Sequence, residues 1–253
     1  MPMIPGMCTA PTAATTIHER AAGRRRHPRA GRAAALDAPG VASLPVGGFS
    51  YSEGLEAAVE HGLVGDEAGT LAWLSDQLRH ALVPSELAVV ARAAEAWRRD
   101  DLDAIAALND WQIVSREARE LRQQSEQMGR SLAQWLRHLD PPEPRLADLE
   151  ALTPAPSWPV AFALAGVATG APVRAITLAF AAGWAEAMVQ AALKAVPLGQ
   201  SAGQRVLAGL GREIPAAVEA ALGTEPAAMQ AFTPMLAILA SRHEVQYSRL
   251  FRS

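Results

Sequence analysis

The sequence predicts an all-α protein, a single-domain bundle of roughly eight to ten helices with an irregular N-terminal segment and a C-terminal tail. Half of the 253 residues are apolar, alanine is the commonest of them, and aromatic residues make up only 5% of the chain. Alanine, leucine, arginine and glutamate favour helices, whereas runs of β-branched or aromatic residues are scarce. The chain is also long enough to bury a substantial hydrophobic core.

Charge and cysteine content restrict the classes of partner and compartment. The net charge of −3 and the isoelectric point near 6.1 give no general case for binding nucleic acid or an anionic membrane. A single cysteine, Cys8, cannot form an internal disulfide, so a reducing cytoplasm is expected. The longest uncharged apolar run, between Arg174 and Glu186, is too short to span a bilayer.

Residues 1–40 differ from the rest of the chain in composition. They contain the arginine-rich cluster at residues 23–32 and show no apolar periodicity, which predicts a disordered, solvated extension. A transit peptide and a nucleic-acid-binding arm are the less favoured alternatives. The helical domain is therefore expected to occupy residues 41–240.

The folded part is expected to open with a turn and a short helix. Pro45 and the Gly47-Gly48 pair predict an irregular turn, and Ser52 and Gly62 are expected to cap the two ends of the helix that follows. The glycines could instead cradle a phosphate, but the chain lacks a P-loop motif, so a turn between packed helices is favoured.

Three further helices are predicted before the proline-rich region. Two span residues 66–82 and 84–99, with Pro84 as the first residue of the second. The third spans residues 111–139, where apolar side chains recur at alternating spacings of four and three and only Ser125 interrupts the series. Glu117 and Glu120 lie among arginines on this helix. Ion pairing is the favoured interpretation of these two residues, and a catalytic carboxylate pair is the alternative.

A loop with six prolines, at residues 141–159, separates these helices from a second helical half. Helices are predicted there at residues 158–169, 172–195, 200–210, 213–222 and 232–240. The helix at 172–195 is apolar on nearly all sides, which is typical of the centre of a bundle. Glu186, Gln190 and Lys194 form a narrow polar stripe on it, either a buried network or the lining of an interface or channel. The tail, residues 241–253, combines arginines with aromatic residues, as interfaces do.

Three stretches of the chain resemble signatures of the urease accessory protein family UreF. They are Leu44 to Glu56, Lys194-Ala-Val-Pro-Leu-Gly-Gln-Ser-Ala-Gly-Gln-Arg205, and Ser241-Arg-His-Glu-Val-Gln-Tyr-Ser-Arg-Leu-Phe-Arg-Ser253. The segments Arg116 to Arg122 and Gln127 to Arg130 are similar to that family as well. Before the first signature, where the family has a leucine-rich helical segment, this chain has residues 32–43 with little to pack.

The resemblance implies an all-α homodimer that is not itself an enzyme and that acts in urease maturation. Such proteins bridge the accessory protein UreD (also called UreH) and the GTPase UreG, and couple GTP hydrolysis to nickel delivery into the urease apoprotein. No cofactor is expected on this chain alone, because nickel would be handled by the assembled complex. The six histidines are scattered without the spacing of metal ligands.

The resemblance also assigns residues. It implies that Glu56 and Lys194 communicate with the GTPase and that Tyr51, Gln200, Gln204 and Arg205 are their motif neighbours. The tail matches the segment that becomes ordered on binding UreD, and its candidate interface residues are Arg242, His243, Glu244, Tyr247, Arg249, Phe251 and Arg252. No catalytic or metal-ligating residue is expected. The alternative is a helical hydrolase or lyase that uses Glu117 and Glu120, or the stripe of Glu186, Gln190 and Lys194.

Overall fold

The computed structural model describes residues 46–252, and within that range the chain is helical without a β-strand, which confirms the all-α prediction. The expectations for residues 1–40 lie outside the described part. The helices, numbered in chain order, are α1 Leu55–Glu60, α2 Glu67–Asp76, α3 Ala88–Arg99, α4 Leu102–Val114, α5 Arg119–Leu136, α6 Leu146–Glu150, α7 Trp158–Thr169, α8 Val173–Ala195, α9 Gln200–Leu222 and α10 Pro234–His243. Two 3₁₀ turns, Gly48–Ser50 and Pro226–Ala228, and a π-helical segment, Gln77–Leu87, complete the described elements.

Helix α8 lies at the centre of the bundle and packs against α9, α3, α7 and α1. Its apolar side chains join one large core with those of α3, α5 and α7. Trp158, Phe162 and Phe180 pack there in edge-to-face and tilted pairs, with ring centroids 5.2–5.9 Å apart. Among the described helices, only α8 is long and apolar enough to cross a membrane, but most of it is buried inside the bundle. Helix α8 therefore contributes to the core of the bundle.

Helix α1 begins two residues later than the sequence indicates. Gly54, in the left-handed region at φ 81°, occupies the N-cap position, although the hydroxyl of Ser52 still accepts the backbone N–H of Glu56 at 3.4 Å. At the other end Gly62 has a φ of 71°, as predicted for the glycine that ends the helix. Glycines in a conformation that other residues rarely adopt therefore lie at both ends of α1.

The prediction that Pro84 starts a new helix is wrong. Helices α2 and α3 are joined without a break by a π-helical segment, Gln77–Leu87, and Pro84 lies inside it. A π-helix has a wider turn than an α-helix, which gives room for the proline ring that an α-helix interior would exclude. The carbonyl oxygen of Pro84 accepts the backbone N–H of Gln230 at 3.0 Å, so the segment is also tied to the chain before α10.

The single helix predicted at residues 111–139 is also wrong, because the chain breaks between Val114 and Arg119. Arg116 turns inward there and pairs with Glu86 at 2.6 Å, and Val114, expected in the apolar seam, is 72% exposed. Glu244 accepts the backbone N–H of Arg119 at 2.8 Å and so caps the new helix. These long-range contacts override the apolar periodicity. Helix α4, which starts at Leu102, was not predicted over most of its length.

In the second half of the chain, the boundaries of two helices also differ from those predicted. Helix α9 is continuous from Gln200 to Leu222, so the separate helices predicted at 200–210 and 213–222 are one. Pro215 is tolerated inside it on the solvent-exposed side, where the freed backbone carbonyl needs no partner within the protein. Helix α10 extends to His243, so the irregular tail comprises residues 244–252. The helices at 158–169 and 172–195 are confirmed within one residue.

Candidate partner-binding site

A buried chain of charged groups anchors the end of the polypeptide. Both ring nitrogens of His243, which is fully buried, face carboxylates: Nε2 lies 3.0 Å from Glu56 Oε2, and Nδ1 lies 2.7 Å from Glu120 Oε2. The other oxygen of Glu120 accepts from Arg249 at 2.7 Å. The two carboxylates thus share the imidazole of His243, and Glu120 also pairs with Arg249, so these buried polar groups have partners.

Glu56 also holds the backbone of the tail. Its carboxylate accepts the N–H of Leu250 at 2.7 Å and that of Phe251 at 3.0 Å. The Phe251 side chain is buried against α1, α10 and the end of α8. The tail is therefore fixed by a carboxylate on α1 that is itself only 6% exposed, and Glu56 is a structural anchor rather than an exposed contact residue.

The last residues of the tail return to the turn before α1. The backbone N–H of Arg252 donates to the carbonyl of Ser50 at 2.8 Å, and the hydroxyl of Tyr51 donates to Gln127 at 2.9 Å. Burial raises the pKa of Tyr51, and a hydrogen bond with Arg252 partly opposes that rise. Tyr51 and Arg252 thus belong to the same assembly as Glu56 and His243.

Lys194 lies at the rim of this assembly. Its side chain is exposed, and its ammonium lies 5.5 Å from the centroid of the Phe251 ring, within the range of a cation–π interaction. It is in the last turn of α8, where a cation complements the helix dipole. It is also the only lysine in the chain, since the other 22 of the 23 basic residues are arginines. Lys194 is therefore accessible from solvent at the edge of this assembly.

The structure separates the remaining predicted residues from this group. Gln200 and Gln204 are exposed on the first turns of α9. Arg205 forms a bidentate ion pair with Glu67 of α2, with N–O distances of 2.8 and 2.6 Å. This pair lowers the pKa of the Glu67 carboxyl. In the tail, the side chains of Arg242 and Tyr247 are exposed. Within residues 46–252, these side chains form a second, solvent-facing set rather than one continuous site.

The carboxylates of the enzyme alternative do not converge. Glu117 is exposed in the connection between α4 and α5, whereas Glu120 is buried and bound to His243 and Arg249. On α8, Glu186 is half-buried, while Gln190 and Lys194 are exposed, so the stripe is not a buried network. Sequence reasoning missed the role of Glu120, because its partner His243 lies 123 residues away along the chain.

A second polar group, which the sequence did not reveal, lies inside the bundle. Glu86 pairs with Arg116 at 2.6 Å, and only 14% and 12% of the two side chains are exposed. Burial raises the pKa of Glu86 to about 7, with Arg116 opposing and the charge of Glu53 adding to the rise. Glu53 is bound through its carboxylate to Gln124 at 2.7 Å and to Trp184 at 2.9 Å.

The raised pKa of Glu86 predicts a stability that falls with rising pH. Between about pH 4.5 and about pH 7, folded Glu86 holds a proton that the unfolded chain has released, so the free energy of unfolding decreases through that window. The decrease attributable to Glu86 is at most about 3 kcal/mol. Urea unfolding between pH 5 and pH 8 measures it, and Glu86→Gln is expected to flatten the curve. Glu126→Gln, in an exposed ion pair on α5, serves as the control. Equal pH slopes for Glu86→Gln and the unaltered protein would contradict this assignment.

Comparison with known proteins supports the resemblance seen in the motifs. Residues 64–211 match the UreF family. The chain is 62% identical over 212 residues to the urease accessory protein UreF of Methylibium petroleiphilum, covering 83% of this chain and 90% of the relative. It is 56% identical over 215 residues to UreF of Polaromonas sp., with 83% and 90% covered, and 56% identical over 218 residues to UreF of Paracidovorax citrulli, with 83% and 85% covered.

In the described part of the chain, an all-helical bundle holds its own C-terminal tail through buried polar groups. The matches place it among the urease accessory proteins. Specifically, the chain belongs to the UreF family.

Proposed function

We propose that this protein acts in urease maturation, as a non-catalytic factor that bridges UreD (UreH) and the GTPase UreG and so couples GTP hydrolysis to nickel delivery into the urease apoprotein. The observation that carries the proposal is the identity of 56–62% to three UreF proteins over 83% of the chain. The protein would work in the cytoplasm as a homodimer. Nickel would be cargo of the assembled complex and not a cofactor of this chain.

Surface chemistry supports a role in binding. Large apolar side chains are exposed on and beside the last helix: Phe232 is 71%, Met235 55% and Ile238 47% exposed. Exposed apolar groups that lie together are typical of protein interfaces. The tail beyond this helix adds a fully exposed tyrosine, Tyr247. We assign this helix and the tail to the UreD contact, and the exposed rim around Lys194 to the GTPase.

Genetic complementation tests the proposal. In a urease-positive host that lacks its own UreF, the gene for this protein is expected to restore urease activity and the nickel content of purified urease. The protein is further expected to co-purify with UreD and UreG. Apo-urease that stays nickel-free in the presence of well-expressed, folded protein would exclude a maturation role.

Lys194→Ala is expected to lower urease activation by about ten-fold or more, because the loss of one partner of a charged contact costs about 2 kcal/mol. Lys194 is exposed, so the thermal midpoint should change little. The measurement is urease activity and nickel content per urease active site, loaded or not, in the complementation strain. Arg212→Ala, another exposed cation on α9, is the matched control. If both variants activate urease normally, Lys194 is not part of the GTPase contact.

A further inference from the structure

A cavity of ≈ 120 Å³ lies between the turn at residues 46–54, the π-helical segment, α5 and α8. Most of its wall is apolar and aromatic, formed by Met128, Trp158, Phe180, Trp184 and Met188. The exposed side chains of Phe49 and Gln190 also line it, so it reaches the surface between the turn and α8. An apolar pocket with a few converging polar groups is the usual form of a small-ligand site.

Gln77, one of the residues that line the cavity, has a buried polar atom without a partner among residues 46–252. Gln77 is 7% exposed and donates through Nε2 to the carbonyl oxygen of Glu53 at 2.9 Å, while its Oε1 accepts no hydrogen bond from that part of the chain. An unpaired buried acceptor costs about 1–3 kcal/mol. Gln77 and Glu86 lie at the two ends of the π-helical segment, a geometry that often occurs at functional sites. The free acceptor is suited to a ligand that donates hydrogen bonds.

Glu53 supports the same interpretation. Its backbone φ is 50°, in the left-handed region that residues other than glycine rarely adopt. Its carboxylate is fixed by Gln124 and by the indole N–H of Trp184. A strained residue held by surrounding contacts is a feature of binding sites. Glu53 and Glu86 are the two carboxylates in the cavity lining.

The charged side chains that line the cavity can be neutralised by one additional positive charge. Arg116, from the connection between α4 and α5, and Glu53, from the turn before α1, are the charged groups that face Glu86. The side chains contributed by α5, α7, α8 and α10 are uncharged. With both carboxylates ionised, the three groups sum to −1, which one proton or one monovalent cation would neutralise. A divalent cation would leave a buried excess charge, which is costly.

We propose that this cavity binds a primary ammonium group carried on a short alkyl chain. The carboxylates of Glu53 and Glu86 and the free Oε1 of Gln77 supply acceptors for the ammonium N–H groups. The aromatic and aliphatic walls would hold the carbon chain and favour the cation. A dry cavity of about 150 Å³ accommodates benzene, so one slightly smaller suits about five non-hydrogen atoms. That is the size of n-butylammonium, which is also the side-chain end of a lysine.

Binding must compete with the proton on Glu86. Because burial raises the pKa of Glu86 to about 7, the carboxyl of Glu86 is mostly protonated at pH 6 and mostly ionised at pH 8. Affinity for the ammonium ion is therefore expected to be about ten-fold higher at pH 8 than at pH 6. Glu86→Gln mimics the protonated group, so this variant should bind weakly at both pH values.

The test is a titration of the full-length protein with n-butylammonium, followed by NMR of the indole N–H of Trp184, which donates to Glu53. A saturable shift at pH 8 that weakens at pH 6 is expected, together with at least ten-fold weaker binding by Glu53→Gln and Glu86→Gln. The control variant is Glu126→Gln on the outer side of α5. The NMR spectrum itself shows whether each variant is folded, and Glu86→Gln still decides the question if Glu53→Gln is not.

Two further ligands complete the experiment. 1-Butanol has the same chain length without the charge, and equal binding of it, or no saturable shift with n-butylammonium at pH 8, would overturn the proposal. Nα-acetyl-lysine methylamide presents the same group on a peptide backbone. If this compound binds more tightly than n-butylammonium, the ligand is the lysine side chain of a partner protein. If n-butylammonium binds and this compound does not, the ligand is a free amine.

Discussion

Glu56→Ala is expected to release the C-terminal tail from the bundle. The substitution removes the acceptor for two backbone N–H groups of the tail and one of the two carboxylates that flank His243. Removing the acceptor of buried hydrogen bonds leaves each donor unsatisfied, at a cost of about 1–3 kcal/mol per donor. Because the tail is a short terminal segment outside the main core, most of this loss should appear as local opening of residues 244–252 rather than as global unfolding.

Limited trypsin digestion measures this opening, since Arg249 lies within the tail and is fixed by Glu120 in the closed arrangement. Cleavage after Arg249 should be at least about ten-fold faster in the variant, because proteolysis follows the population of the open form. Glu60→Ala, an exposed carboxylate on the same helix, is the matched control. Glu56→Gln keeps an acceptor for the backbone and should be intermediate. Equal cleavage of all three variants would show that Glu56 does not anchor the tail.

Gly129→Ala is expected to give the largest loss of global stability. Gly129 lies inside α5, and a Cβ there would be 2.0 Å from the carbonyl oxygen of Pro156 and 2.8–2.9 Å from backbone carbons of Pro156 and Ser157. The obstructing atoms are backbone, which cannot move aside as a flexible side chain would. Overpacking usually costs about 1–3 kcal/mol, and a clash this close should reach the upper end or exceed it.

Urea unfolding at constant pH measures the effect, and a second glycine on an exposed helix surface provides the comparison. Gly211 lies inside α9, and a Cβ added there would have no neighbouring atom within 4 Å, so Gly211→Ala should stabilise the protein by about 0.5–1 kcal/mol. Opposite signs for the two substitutions are the expected result. A Gly129→Ala variant as stable as the unaltered protein would mean that α5 and the loop before α7 can separate without cost.

The loop before α7 also shows which parts of the fold the sequence can and cannot predict. The apolar helices at 158–169 and 172–195 were predictable, because burial on all sides needs no knowledge of the partner. The role of Ser125, which interrupts the apolar series of α5, could not be predicted from the sequence. Its hydroxyl accepts the backbone N–H of Trp158, at the start of α7, at 3.2 Å. Its partner lies 33 residues along the chain, beyond any local pattern.

Some features of the candidate site could likewise be predicted from the sequence, and others could not. The motif of residues 194–205 and the tail were recognisable from sequence, but the contacts of Glu56 were not, since its partner His243 is 187 residues away. The sequence predicts a helix break at Pro84 where there is none, and it misses the break at residues 115–118, because tertiary contacts override local propensity. The cavity at Glu53 and Glu86 carried no sequence signal, because its two carboxylates come from a turn and a π-helical segment.

The solitary lysine of the chain makes one surface position chemically distinct. Apart from the α-amino group, Lys194 provides the only primary amine, so an amine-selective acylating reagent or cross-linker would modify a single side chain. Its rate of acylation would report how tightly the Phe251 ring covers it. Any cross-link that it forms in an assembled complex would identify, by mass spectrometry, the neighbour of the last turn of α8 without a single engineered residue.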